Sequence, residues 1–105
     1  MSDEDVWRMA HGFRDAFSRL LVEMIRGDSD FIEQASGSVL WYFVQIIKMT
    51  DHLDVENEAR FLMKMILTFT SLLASHNKHE AVELLSTIMG KFSTLIRITG
   101  EKCHK

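Results

Sequence analysis

His76 and His79, in the run His76-Asn77-Lys78-His79, set two imidazoles three residues apart. That is a spacing at which two side chains on one helical face can share a metal ion. A metal centre needs further donors, and only Glu80 and Glu83 follow nearby. The pair also straddles the expected start of a helix, so the plainer reading is a polar turn between two helices. Cys103 and His104 add two more donor types at the end of the chain, where nothing holds them in a preformed geometry. Di-iron bundles draw on paired Glu-x-x-His runs from two helices. The chain does not carry such a pair of runs, so that reading fails. We therefore expect neither a metal nor a cofactor.

Nucleophilic and phosphate chemistry leave equally little trace. There is no Gly-rich phosphate loop, no Gly-x-Ser-x-Gly and no His-Glu-x-x-His. The acidic residues sit mainly where helix caps and outward faces are expected rather than converging on a cleft. The expectation is a protein that is not an enzyme. Arg8, Arg19 and Arg26 fall along one side of the first helical segment and could suggest phosphate binding. However, Glu4 precedes Arg8 by four residues, Asp15 precedes Arg19 by four, and Glu23 neighbours Arg26. That order favours ion pairs along the helix and a solvated, internally neutralised face.

The elements that must carry these residues are helices. The chain has 105 residues, no proline, 47% hydrophobic and 26% charged residues, the profile of one globular domain. The first helix is expected from about Asp3 to Arg26, with Ser2 and Asp5 as a capping pair and Gly27 as its end. Its stripe is Val6, Ala10, Phe13, Phe17, Leu20 and Met24. The second starts near Asp30, whose spacing to Glu33 suits a cap, and runs to about Thr50. The third takes Asp54 as cap and Val55 to Ser75 as body. The fourth follows Asn77 and Glu80 and stops before Gly100, leaving residues 100–105 as a polar tail. The short links predict antiparallel neighbours and a four-helix up-down-up-down bundle. A break near Gly37 would give five helices instead.

The second segment contains Val39-Leu40-Trp41-Tyr42-Phe43-Val44-Gln45-Ile46-Ile47, in which only Gln45 is polar. Read as a helix, its core stripe is Ile32, Ala35, Val39, Phe43 and Ile46, flanked by Leu40 and Ile47 on one side and Phe31, Tyr42 and Met49 on the other. Trp41 and Val44 fall on the far side, beside Gln34, Gly37, Gln45 and Lys48. The third segment is equally broad. Val55, Leu62, Ile66, Phe69 and Leu73 form its centre, and Phe61, Met65, Leu72, Met63 and Leu67 its flanks. Helices apolar over most of their circumference need several neighbours or another subunit to cover them. Six methionines, Met9, Met24, Met49, Met63, Met65 and Met89, fall mostly on core stripes where flexible thioethers fill gaps.

These leftovers point to an interaction surface on helices two and three, with Gly37, Trp41, Val44 and Lys48 on one and Met63 and Leu67 on the other. Exposed Trp in an apolar patch is typical of binding hot spots, and Gly37, one turn before Trp41, would allow close backbone approach. The expected function is a non-catalytic protein-interaction or regulatory module, an adaptor, chaperone-like protein or inhibitor, that docks on a protein partner or on itself as a homodimer. The alternative is a small bundle that binds an apolar small molecule or lipid between its helices. The net charge of −3 gives no basic footprint for nucleic acid. No apolar run reaches the length of about 18–20 residues that spans a bilayer. A lone cysteine and an acidic start without a secretory n-region suggest a reducing, cytoplasmic address, in a cell or in a cell hosting a virus.

Overall fold

A computed structural model of the chain describes residues 2–103. Within them lie four helices: α1 (Asp3–Arg26), α2 (Ser29–Met49), α3 (Leu53–Ala74) and α4 (Lys78–Cys103). Each packs beside its neighbours in sequence, and α1 also packs on α4, so the four close into a ring whose diagonals do not approach closely. Among the described residues the fold is entirely helical, and it forms a helical bundle of 44 × 26 × 16 Å.

Local chemistry sets the helix ends. Ser2 caps α1: its Oγ accepts from the Asp5 N–H at 3.3 Å and donates to the Asp5 carboxylate at 3.0 Å. Gly27 closes α1 in the left-handed region at φ 80°, its N–H reaching the Glu23 carbonyl, a conformation that glycine adopts without a Cβ penalty. The α2 cap is Asp28 rather than Asp30. Its carboxylate accepts from the Asp30 and Phe31 N–H groups, so the helix begins earlier than the Asp30–Glu33 spacing implies. α3 likewise begins ahead of its expected cap, because the Thr50 hydroxyl accepts from the His52 N–H at 3.1 Å and turns the chain early.

Asp54 is left with a different task. It ties α3 to the far end of α4 by an ion pair with Lys102 at 3.0 Å. The hydrogen bond from Lys102, with help from the Val55 N–H, holds its carboxyl below the usual carboxylate range against a smaller opposing effect of burial. This tie is one reason that α4 does not stop before Gly100. Arg97 and Glu101 pair at 2.9 Å across the glycine, and the buried Thr99 returns its hydroxyl to the Leu95 carbonyl. Residues 100–103 are therefore helix and not tail. His104 and Lys105 lie outside the described residues.

α2 also runs unbroken through Ser36-Gly37-Ser38, with the Ser38 hydroxyl returned to the Gln34 carbonyl at 3.3 Å. A single glycine costs a helix only about 1 kcal/mol, too little to break one whose other residues pack.

The core is aromatic at its centre. Phe92 of α4 meets Phe13 edge-on, with ring centroids 4.9 Å apart, and lies 5.6 Å from Phe17 of α1. Phe17 in turn meets Phe69 of α3 at 5.9 Å. Leu20, Ile46, Leu62, Ile88 and Leu95 are buried around them. Each such side chain contributes about 1.5–3 kcal/mol by leaving water, and together they fix the relative placement of all four helices.

Candidate docking surface

The α2–α3 pair packs most sparsely of the four contacts that close the ring. Between these helices runs an apolar groove with a cavity volume of about 380 Å³. Leu20 and Met24 reach it from α1, Val39 and Leu40 line it from α2, and Met63 and Leu67 line it from α3. The short side chains Ser36 and Thr70 also line it; neither is large enough to fill the space between the helices. Leu40 and Leu67 are more than half exposed, at 54% and 59%.

Trp41, one residue past Leu40, is 52% exposed. It is held rather than loose, since its indole stands edge-on to the Tyr42 ring at a centroid distance of 5.0 Å. Tyr42 is itself seated on α1 over Gly12, where a Cβ would collide with its ring. The large exposed side chain therefore has a braced position.

The other residues singled out from the sequence fall in graded positions. Gly37 is exposed, and a Cβ added there would meet nothing within 4 Å. Lys48 is exposed and makes no ion pair among the described residues. Val44 is half-buried. Met63 is buried at 9% exposure; it belongs to the groove's lining and not to an outer edge. Its flexible thioether is drawn inward because α2 leaves room above it, whereas Leu67, one turn on, stays outside. On α2, Leu40 and Phe31 are both more than half exposed, although the helical wheel places them on core flanks. Sparse packing at α2–α3 is a tertiary property, and no periodicity in α2 alone reports it.

The residues with chemical potential stay apart. His76 closes α3 with a positive φ of 62°, and His79 pairs with Glu83 at 3.2 Å on the exposed start of α4. Among the described residues no three metal-ligating side chains cluster. Arg8 pairs with Glu4 at 2.8 Å on an exposed, neutralised face as expected; Arg26 pairs with Glu23 at 3.5 Å, but Glu23 is buried, so that pair is not part of a solvated face. Arg19 departs from the expectation too, because Asp15 lies nearer Arg14, at 3.8 Å.

No family model, curated protein or solved structure matches the chain. Among the described residues no helix is long and apolar enough to cross a membrane.

Proposed function

We propose that this chain is a non-catalytic helical interaction module that docks through the outer surface of α2 and α3, acting as an adaptor, chaperone-like protein or inhibitory regulator. In this reading consecutive helices run antiparallel as an up-down-up-down bundle, and the module is a homodimer in a cytoplasmic setting. The observation that carries it is the run Leu40, Trp41 and Leu67, each more than half exposed, beside an unfilled apolar groove. Burying an aromatic anchor in such a place is how interfaces concentrate their binding energy. Covering Trp41 and its aliphatic neighbours contributes a few kcal/mol before association costs are met. Gly37 and Lys48 border the anchor, Val44 extends it, and Met63 supplies an adaptable floor. Light scattering on wild type and Trp41→Asp tests the reading.

A second reading rests on the groove itself. Its 380 Å³ falls within the range of roughly 300–1,000 Å³ typical of small-molecule sites, and its lining is mostly apolar. In that case the occupant is an apolar small molecule or lipid. The signature is a melting temperature raised by fatty acid while the protein remains monomeric.

A further inference from the structure

α2 holds the fewest buried residues of the four helices. It buries three, Ala35, Val39 and Ile46, where α1 and α3 bury seven each. On the face turned away from Val39 runs a stripe of Asp30, Gln34, Gly37, Trp41, Val44 and Lys48, separated by alternating steps of four and three residues. At 3.6 residues per turn these positions span about 80° of the helix, the kind of seam along which two helices pack as a coiled coil. Five of the six are exposed and Val44 is half-buried, so the chain's own helices leave the seam uncovered.

The seam matches itself in reverse. Trp41 and Gly37, Val44 and Gln34, and Lys48 and Asp30 are each placed symmetrically about residue 39. A twofold axis at that level, outside the helix, sets each member of a pair against the other member on a second copy, as an isologous interface requires. Size suits the pairing at the centre: the largest side chain of the stripe meets the residue that has none. A Cβ on Gly37 would meet nothing within 4 Å, so the space for an indole is open. Charge suits it at the ends. Asp30, Glu33 and Lys48 are the only charged residues of α2; all are exposed, and none makes an ion pair among the described residues. The acids stand near the start of the helix and the lysine near its end. Parallel pairing therefore opposes like charges at both ends, and antiparallel pairing opposes unlike ones. We propose that the occupant of the docking surface is a second copy of this chain, paired antiparallel along α2. Trp41 of each copy rests on Gly37 of the other, and Lys48 of each lies beside Asp30 of the other. This rests on the docking reading above and adds to it the orientation and register.

Charge reversal tests the register, read as dissociation constants by sedimentation equilibrium at low ionic strength with helicity followed throughout. Lys48→Glu or Asp30→Lys alone turns two attractions per dimer into two repulsions. Either should weaken the dimer about tenfold, and by less in high salt. The double variant Asp30→Lys, Lys48→Glu restores both attractions and should dimerise like the wild type. An equimolar mixture of the two single variants should do the same, because each supplies the charge that the other needs. A wild-type dimer that Trp41→Asp dissolves but both single reversals leave unchanged would overturn the antiparallel register and leave the docking reading standing. A double variant and a mixture as weak as the single variants would do the same. A wild type that is monomeric at every concentration would overturn both.

Discussion

The Tyr42 ring occupies the space that a Cβ on Gly12 would need. Gly12 is therefore a seat for α2 rather than a weak point in α1, and it sets how Trp41, edge-on to Tyr42, is presented. Gly12→Ala should raise the intrinsic helix propensity of α1 by about 1 kcal/mol and still destabilise the protein. Displacing a packed ring costs roughly 1–3 kcal/mol, and the loss should outweigh the gain. Urea unfolding checks the sign. In the double variant with Tyr42→Ala the penalty should largely vanish, because the two residues act through one contact.

Gly37 is the opposite case. Nothing lies where its Cβ would be, so within one chain the glycine has no packing duty. Gly37→Ala should stabilise the folded chain by about 0.5–1 kcal/mol. If α2 meets a partner backbone at Gly37, as the docking proposal holds, the same methyl should weaken association. Unfolding and association measured on one variant separate the two effects.

Phe92 joins α4 to both phenylalanines of α1. Phe92→Ala should cost about 3–5 kcal/mol, the usual penalty of a large cavity in an aromatic core. Denaturant midpoints should fall accordingly, and a loss below about 1 kcal/mol would mean that the core repacks around the gap.

The Asp54–Lys102 tie predicts a pH dependence of definite sign. The folded-state carboxyl lies below its ordinary value of 3.8, so the unfolded chain takes up its proton first as pH falls. The stabilisation is present in full above that value and is lost as pH drops through the folded one. Asp54→Asn should lower the unfolding midpoint at neutral pH, with the difference from wild type shrinking below about pH 3.8 as the native carboxylate is protonated. A difference that stays constant down to pH 2 would remove the tie from the account of acid stability.

The helices were legible because their signals are local. The stripe from Val6 to Leu20 reads at helical spacing, and Ser2, Asp5 and Gly27 mark the ends of α1. Trp41 was legible as exposed for the same reason, since a wheel places it opposite Val39 and Ile46. What could not be read were consequences of packing between helices. Asp54 reads as a cap because nothing in its own segment shows that Lys102 waits at the far end of the chain. Gly100 reads as a stop because the Lys102–Asp54 pair and the burial of Thr99, which help to carry α4 past it, are tertiary. Met63 and Leu40 exchange their expected places, one inward and one outward, because the gap between α2 and α3 depends on both helices. Glu23 gave a clue only in part. A glutamate three residues before an arginine looks like a surface pair, and its burial follows from the approach of α2.

The most direct test of the docking proposal is the solution mass of wild type and Trp41→Asp by light scattering across a concentration series, with helicity followed in parallel. The account predicts a wild-type dimer that dissociates on dilution, and a variant that is monomeric at every concentration with unchanged helicity. A wild-type monomer throughout would contradict self-association, and a variant that remains dimeric would remove Trp41 from the interface.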